Sequence, residues 1–505
     1  MEKYPMNPVR TLAGLVLLAL AADVSLHGSE ATPPVAASPL VELKNGDTFN
    51  LTATIVKRTL AGHEARMLAY NGTIPGPTIK VTQGAEITIH FTNQTDIPTT
   101  LHSHGVRLDN RYDGVPGDSQ KPVAVGESFD YKIKFPDAGV FWYHPHVRED
   151  YAQPLGLYGN YLVEPISPGY WVPVNQQVPL MVGDLLLENG EIAPSGPVAD
   201  HALMGRFGNT MLANGSDHYT LAVKPGEVVR FYLTNVASTR VFNLAIPGVK
   251  LKRVGGDNGR YERETWVDRI LLAPSERTVV DVLFDAPGTF PLQHVTPQHT
   301  YTIGTINVAG AKAEVSYAAQ FQQLRVNREV TAELDRFRPQ FDRPADQSLR
   351  LTMTMAGMTG GMGMGGGMMG ADADKIEWED TMAMMNQMAT AGNIQWKIVD
   401  TATGKSGMDI AWRFKVGDLV KIKIFNDPAS MHAMQHPIHF HGQRFLVLTT
   451  NGVRNDNLVW KDTALIQKGD TVEILVAMEN PGLWMAHCHI PEHLESGMMF
   501  NFRVN

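Results

Sequence analysis

A strand-like pattern that occurs three times along the chain restricts the possible folds more than any other feature. Each copy begins with a glycine, continues with hydrophobic side chains at every second position and ends with an asparagine, at residues 84–93, 226–235 and 417–426. This alternation is typical of a β-strand that buries one face. A second apolar stretch, at residues 131–142, 279–292 and 472–484, is predicted to form the closing strand of each copy. A repeated unit of this kind in a chain of 505 residues predicts an all-β protein with three related β-sandwich domains.

Histidine pairs accompany the first and third copies. A turn glycine, Gly139 or Gly482, is followed five and seven positions later by two histidines, whereas Gln293 and Val295 occupy those positions in the middle copy. The outer domains are therefore expected to carry ligands, and the middle domain is expected to carry none. The chain contains four His-x-His pairs: His102 with His104, His144 with His146, His439 with His441, and His487 with His489.

The number of these pairs is difficult to explain without metal. Random placement of 18 histidines in 505 residues gives about 0.6 His-x-His pairs, compared with the four present. Buried imidazoles that lack partners would each cost about 1–3 kcal/mol. The pairs therefore predict a metal-binding protein.

The single cysteine of the chain, Cys488, indicates which metal is bound. Because side chains alternate along a strand, Cys488 points away from its two histidine neighbours. His493 and Met498 follow five and ten positions later, and His436 has the strand parity needed to join them. Two imidazoles, one thiolate and a weak thioether favour copper.

With these motifs the chain resembles the multicopper oxidases, a family that includes laccases, bilirubin oxidases, copper-efflux oxidases and ferroxidases. The four histidine motifs stand in the family's order, and the similarity extends from residues 70–77 to the C-terminus. The resemblance implies three cupredoxin-like Greek-key domains, four coppers and the reduction of O2 to water. It also implies which residues bind each copper. The type 1 copper is bound by His436, Cys488, His493 and Met498, and the type 2 copper is bound by His102 and His439. One type 3 copper is bound by His104, His144 and His489, and the other is bound by His146, His441 and His487.

The family also uses acids to deliver protons during O2 reduction. Asp113 occupies the position of one relay carboxylate, so we predict that it is catalytic together with the electron-transferring Cys488. The position of the second acid is occupied by Leu494. We therefore expect Glu495 to take that role, with Glu492 as the alternative.

A methionine-rich segment indicates the substrate. Residues 353–388 contain 11 of the chain's 24 methionines among many glycines. A flexible linker would explain the glycines, but thioethers are soft ligands that select Cu(I). We therefore predict an insert that holds additional, labile Cu(I) above the type 1 copper. The resemblance to the copper-efflux oxidases implies a substrate site formed by Met353, Met358, His432 and Met434.

Several functions remain open within this interpretation. We predict oxidation of Cu(I) in copper tolerance, with phenols and aryl amines as further small substrates. The alternatives are a general laccase, a ferroxidase or a bilirubin-type oxidase without a role in copper handling. A copper nitrite reductase is disfavoured because it needs fewer histidine pairs.

The remaining expectations concern domains, location and partners. Residues 1–31 have basic residues followed by a short apolar core, which predicts a secretory signal and export to the periplasm or beyond. The domains are predicted at 32–168, 169–338 and 339–505. The net charge of −9 and the lack of a basic stripe argue against nucleic-acid binding. We expect a monomer without a stable membrane anchor.

Overall fold

The computed structural model describes residues 35–355 and 374–505. The predicted signal segment and the central part of the methionine-rich segment, including Met358, lie outside the described residues. Within the described ranges the chain forms 33 strands and five short α-helices, which confirms the all-β prediction.

The first domain contains nine strands that form two sheets. Strands β1 to β9 span Leu40–Glu42, Thr48–Leu60, His63–Tyr70, Thr78–Thr82, Glu86–Gln94, His102–His104, Ser128–Lys134, Gly139–His144 and Gly159–Glu164. One sheet has the order β3-β2-β5-β7, and the other has the order β1-β4-β9-β8-β6. A short helix, α1 (Glu149–Ala152), follows β8.

The second domain contains thirteen strands. Strands β10 to β22 span Gln176–Leu185, Leu187–Glu188, Glu191–Ile192, Thr210–Ala213, Thr220–Val223, Glu227–Asn235, Phe242–Ala245, Leu251–Gly256, Gly259–Val267, Ile270–Leu272, Arg277–Phe284, Gly288–Val295 and Thr300–Val308. The main sheets have the orders β13-β10-β15-β20-β17-β18 and β14-β22-β21-β16-β19, and β11 pairs with β12. Helices α2 (Ala318–Phe321) and α3 (Arg328–Asp335) follow.

The described part of the third domain contains eleven strands and two helices. Strands β23 to β33 span Gln347–Met355, Ile394–Asp400, Trp412–Phe414, Leu419–Asn426, His436–Phe440, Arg444–Thr450, Val453–Arg454, Thr463–Ile466, Thr471–Ala477, Gly482–Cys488 and Met499–Val504. The sheets have the orders β24-β23-β26-β31-β28-β29 and β25-β33-β32-β27-β30. Helix α4 (Ala383–Met388) lies before β24, and α5 (Pro491–Glu495) lies between β32 and β33.

The three repeated strands occupy equivalent places in the three domains. Strands β5, β15 and β26 each pair with one parallel and one antiparallel neighbour in the same sheet. The asparagine that ends each repeat, Asn93, Asn235 or Asn426, is buried and donates to two backbone carbonyls, one in the loop that follows the strand and one further along the chain. In the third domain these carbonyls belong to Met434 and Ile466, at 2.7 and 3.0 Å. This asparagine therefore holds the loop that leads to His436.

The closing segment of each repeat differs from the prediction. It forms two strands rather than one: β7 and β8, β20 and β21, and β31 and β32. The first strand of each pair belongs to the same sheet as the repeat, and the second belongs to the opposite sheet. The alternating pattern is similar in both sheets, so it does not reveal where the chain crosses. The crossing carries the histidine-bearing strands β8 and β32 into the sheets that bear the other ligands.

The predicted domain boundaries fall between strands of successive domains. The first domain's last strand ends at Glu164, and β10 begins at Gln176; β22 ends at Val308, and β23 begins at Gln347. The exact boundaries at 168 and 338 stay predictions. The predicted insert begins inside β23, where Met353 pairs with Trp396 of β24, so its first residues are part of the domain's sheet.

Candidate metal centre

The first candidate site is a set of sulfur and nitrogen donors inside the third domain. His436 begins β27, Cys488 ends β32, and His493 lies on α5. Sγ of Cys488 is 3.6 Å from Nδ1 of His436 and 3.8 Å from Nδ1 of His493. Met498 is also buried, and its backbone oxygen accepts the Cys488 N–H at 3.0 Å. The fold therefore brings the four predicted type 1 residues to one place.

The second candidate site is a cluster of eight histidines contributed by the first and third domains. His102 lies opposite His144 in the pairing of β6 with β8, and His439 lies opposite His487 in the pairing of β27 with β32. The other four members, His104, His146, His441 and His489, each lie two positions further along the chain, and all eight are buried. The imidazoles of His104 and His439 stack with centroids 3.8 Å apart, which joins the contributions of the two domains.

Backbone carbonyls fix the orientation of four of these imidazoles. In each case Nδ1 of the histidine lies close to a backbone oxygen. The distances are 2.6 Å from His102 to Asp113, 2.7 Å from His144 to Pro145, 2.8 Å from His439 to Asp462 and 2.8 Å from His487 to Cys488. A carbonyl can only accept, so Nδ1 carries the proton and Nε2 presents its lone pair. Among the described residues, Nε2 of His102, His144 and His439 is buried without a hydrogen-bond partner.

His104 and His441 are oriented by carboxylates. Nε2 of His104 lies 3.0 Å from Oδ1 of Asp462, which leaves its buried Nδ1 without a partner in the described part of the chain. His104 thus presents the opposite nitrogen from its neighbours. Nδ1 of His441 lies 2.9 Å from Oδ2 of Asp113, and its Nε2 faces Nε2 of His487 at 2.9 Å. Two imidazole nitrogens that face each other need a shared proton or a cation.

Burial favours the uncharged forms of the imidazole and thiol donors. It lowers the pKa of His489 to about 3 and that of His436 to about 3, so these imidazoles are neutral, as metal ligation requires. Burial also raises the pKa of the Cys488 thiol. A bound cation would favour the thiolate, the form of cysteine that binds metal.

Both donor sets fit copper. Unpartnered buried nitrogens are costly, and a bound metal would satisfy them. Imidazole with thiolate suits copper better than the hard cations that prefer oxygen. The donor atoms of His146, His441 and His487 lie within 4.8 Å of one another. The assignment of each imidazole to one of three coppers stays a prediction.

Asp113 contacts the histidine cluster through both its main chain and its side chain. Besides its carbonyl bond to His102, its carboxylate accepts from His441 and is 2% exposed. Burial alone would raise its pKa, but the imidazoles of His441 and His102 outweigh burial and hold the pKa below the usual value. The structure therefore places this predicted relay acid against two cluster members.

The two candidates for the second relay acid, Glu495 and Glu492, have different environments. Glu495 is exposed on α5, whereas Glu492 is buried and burial raises its pKa to about 8. A further acid, Glu149 of α1, contacts the cluster, with its Oε1 3.2 Å from Nδ1 of His146. The role of Glu495 in proton transfer stays a prediction. Glu149 was not predicted from the sequence, although it stands three positions after the second His-x-His pair.

Asp462 and Arg277 were also missed. Asp462 contacts His104 and His439, and Arg277 of the middle domain pairs with Asp462 at 2.5 Å. Neither residue belongs to a motif, and they are distant from each other along the chain. No sequence signal would have brought them together.

The predicted substrate residues have different environments. Met353 and Met434 are buried in the core of the third domain. His432 is only half-buried, although its Nε2 is buried without a partner in the described ranges, and burial lowers its pKa to about 4. Its ring lies 6.5 Å from that of Trp396. Of the predicted substrate residues within the described ranges, His432 is the one that is accessible.

Known proteins share this organisation. Three family models, each described as multicopper oxidase, match residues 52–168, 177–311 and 378–505. Multicopper oxidase MmcO of Mycobacterium tuberculosis is 26% identical over 533 residues, with 96% of this chain and 93% of that protein covered. The copper resistance protein A homolog of Pseudomonas syringae pv. tomato is 24% identical, covering 91% of this chain and 92% of its own. Laccase-15 of Oryza sativa subsp. japonica is 25% identical, covering 99% of this chain and 96% of its own.

A solved structure extends the similarity to three dimensions. The multicopper oxidase from Campylobacter jejuni, described as a metallo-oxidase, superposes with a TM-score of 0.69 at 25% identity, covering 94% of this chain and 96% of that one. The family models span the three domains and include both donor sets. The chain therefore belongs to the multicopper oxidases, built from three cupredoxin domains, and is an oxidoreductase that reduces O2.

Proposed function

We propose that this multicopper oxidase oxidises Cu(I) in copper tolerance, and that phenols and aryl amines are its slower substrates. The observation that carries the proposal is the cover over the type 1 donors. His436 and His493 are at most 1% exposed, so a bulky organic substrate has no direct contact with either imidazole.

Trp396 and a loop of the middle domain form this cover. The Trp396 ring lies 4.2 Å from that of His493 and 4.8 Å from that of His436, centroid to centroid. Its Nε1–H donates to the Ala202 carbonyl at 2.8 Å. Leu203 and Met204 of the same loop are buried in the core of the third domain. A phenol would have to displace this loop, whereas an electron from a small metal ion has only to cross the indole.

Exposed methionines are attached to the same loop. Met384 and Met388 are 78% and 72% exposed and, four residues apart, share one side of α4. Asn386 is buried, accepts the Met204 N–H at 2.9 Å and donates to the Gly205 carbonyl at 2.9 Å. Large exposed thioethers are unfavourable in water, but they are suitable ligands for Cu(I). Helix α4 therefore presents soft donors at the edge of the cover.

His432 provides a further donor for substrate copper. Its low pKa keeps the imidazole neutral, and its buried Nε2 is available for a metal. Trp396 lies beside both His432 and His493. A short path of rings therefore leads from a substrate site at His432 to the type 1 donors.

The protein's own residues then connect the two donor sets. Cys488 is joined through the backbone to His487 and His489, and its carbonyl accepts from Nδ1 of His487. When bound, the coppers would supply four one-electron carriers. Four Cu(I) ions lose one electron each, and one O2 takes up those four electrons and four protons to give two water molecules. Asp113 would hold a proton-accepting carboxylate next to His441 throughout.

The names of the relatives support this substrate. A copper resistance protein and a protein described as a metallo-oxidase are among them. One relative at a similar sequence identity is named a laccase, so organic substrates are the alternative. The methionines of α4 are the feature by which an experiment can separate the two.

The test replaces the three methionines of α4, Met384, Met385 and Met388, with leucine. Leucine preserves the size and helix propensity of these side chains but removes their sulfur. We expect kcat/KM for Cu(I) to fall about tenfold, a typical loss when a group near a metal is removed, with turnover of a bulky phenol unchanged. Met408→Leu, at a 55% exposed methionine outside the segment, is the control and should change neither activity. Unchanged Cu(I) oxidation in the triple variant would favour a general laccase.

We also propose export. The basic and apolar character of residues 1–31 supports a signal peptide, and oxidation of Cu(I) outside the cytoplasm would suit copper tolerance. None of the helices in the described part of the chain has the length and hydrophobicity needed to cross a membrane. Mass spectrometry of the protein from the cell envelope, the medium and the cytoplasm of the native cells tests this proposal. Protein found in the cytoplasm with an intact N-terminus would contradict it.

A further inference from the structure

The middle domain, which has no predicted copper ligand, reaches the histidine cluster through one arginine. The Arg277 guanidinium pairs with both oxygens of Asp462, NH1 with Oδ1 at 2.6 Å and NH2 with Oδ2 at 2.5 Å. Its Nε donates to the Val140 carbonyl of the first domain at 3.1 Å. Arg277 and Asp462 are both buried. One side chain therefore links all three domains beside the cluster.

Asp462 transmits this contact to two histidines. Its Oδ1 lies 3.0 Å from Nε2 of His104, and its backbone oxygen lies 2.8 Å from Nδ1 of His439. Since a carboxylate accepts, Nε2 of His104 carries the proton and Nδ1 presents its lone pair. Gly105 leaves the space that the ion pair needs, because a Cβ there would lie 2.4 Å from Oδ2 of Asp462 and 2.7 Å from NH2 of Arg277.

We propose that Arg277 is a positioning residue for the histidine cluster: it holds the Asp462 carboxylate in the orientation that makes His104 present Nδ1 rather than Nε2. The planar guanidinium fixes both carboxylate oxygens at once, which a lysine ammonium cannot do. Without this fork the carboxylate keeps its neutral donors Asn258 at 3.3 Å and Thr463 at 3.0 Å, which fix its orientation less firmly than a guanidinium. Asp462 can then turn away from His104, whose Nε2 keeps the Thr463 hydroxyl at 3.1 Å but loses its carboxylate acceptor. The middle domain is thus part of the O2-reducing centre, whichever substrate reduces the enzyme.

A matched control is available in the same domain. Arg230 and Asp281 form another buried bidentate pair, Nε to Oδ1 at 2.7 Å and NH2 to Oδ2 at 2.8 Å. This pair has no contact with a cluster histidine among those described. Arg230→Lys therefore reproduces the loss of a buried fork while leaving the environment of His104 unchanged.

The experiment compares Arg277→Lys with Arg230→Lys in the copper-loaded full chain. The first two readouts are the copper content per chain and the blue absorption, which is the thiolate-to-copper band of the type 1 site. The other two are the electron paramagnetic resonance signal of the cluster copper and the thermal stability. We expect Arg277→Lys to bind cluster copper about 10–100-fold more weakly and to change the resonance signal, while the blue absorption stays intact. Arg230→Lys should lose similar thermal stability but keep its full copper content and signal.

Two results would overturn the proposal. One is full copper content with an unchanged resonance signal in Arg277→Lys. The other is an equal loss of cluster copper in both variants, which would show that either ion pair acts only through folding. These outcomes can be distinguished from a failure of the Cu(I) proposal. The blue absorption is retained in either case, because it depends on neither Arg277 nor the methionines of α4.

Discussion

The contact between Gly442 and Trp484 provides a test of how tightly the fold holds the ligand strands. Gly442 follows His441 directly and has φ of +64°, and a Cβ at this position would lie 2.4 Å from the Trp484 ring. A left-handed backbone costs a non-glycine residue about 1–2 kcal/mol. Overpacking a core adds about 1–3 kcal/mol. Gly442→Ala should therefore lower the free energy of unfolding by about 2–5 kcal/mol.

Gly452→Ala isolates the steric part of this cost. Gly452 has φ of +77°, and a Cβ added there would have no neighbour within 4 Å, so alanine meets the backbone strain alone. We expect Gly442→Ala to be less stable than Gly452→Ala by about 1–3 kcal/mol, measured by thermal unfolding of the copper-free proteins. In a domain of this size, each kcal/mol of lost stability lowers Tm by about 2–4 °C. Only Gly442→Ala should also lose cluster copper, because the displaced Trp484 moves His441 away from Asp113. Equal loss of stability in the two variants would refute the reasoning.

Three further substitutions test the donor sets. Cys488→Ser should abolish the blue absorption and turnover while the fold survives, and a blue variant would contradict the assignment, as circular dichroism and visible spectra would show. Met498→Leu should keep the blue colour and raise the reduction potential, because a weak donor that favours Cu(II) is removed; redox titration measures this. Asp113→Asn should slow the reoxidation of reduced enzyme by O2, since the amide replaces the carboxylate that faces His441, while stopped-flow reduction of the blue copper by substrate stays nearly unchanged. Equal slowing of both steps would remove the relay role.

The strand repeat and the ligand motifs could be recognised from the sequence because both are local patterns. Alternation identified β5, β15 and β26, and the buried amide of Asn426 explains why an asparagine ends each copy. The crossing between sheets after each repeat was not predictable, because alternating side chains look alike in either sheet. Local spacing thus predicted strands but not which sheet each strand joins.

The parts of the site that depend on distant contacts could not be predicted. Asp462 reaches His104 across a domain interface. Glu149 lies only three positions after His146, but it belongs to none of the recognised motifs. The position of Glu495 beside a ligand motif predicts a relay role, whereas the helix that carries it leaves it exposed. Similarly, no local pattern indicated that Trp396 and Ala202 cover the type 1 donors, because they come together from different domains.

The stoichiometry of copper and oxygen tests the central claim most directly, namely that ten histidines and one cysteine bind four coppers that together reduce O2 fully. The measurement counts bound copper per chain and follows O2 uptake, peroxide release and the oxidation of added Cu(I) in one reaction. We expect about four coppers per chain and about four Cu(I) oxidised per O2, the electron count of reduction to water, with no peroxide accumulating. Two coppers per chain, or peroxide formed in proportion to the O2 consumed, would contradict it.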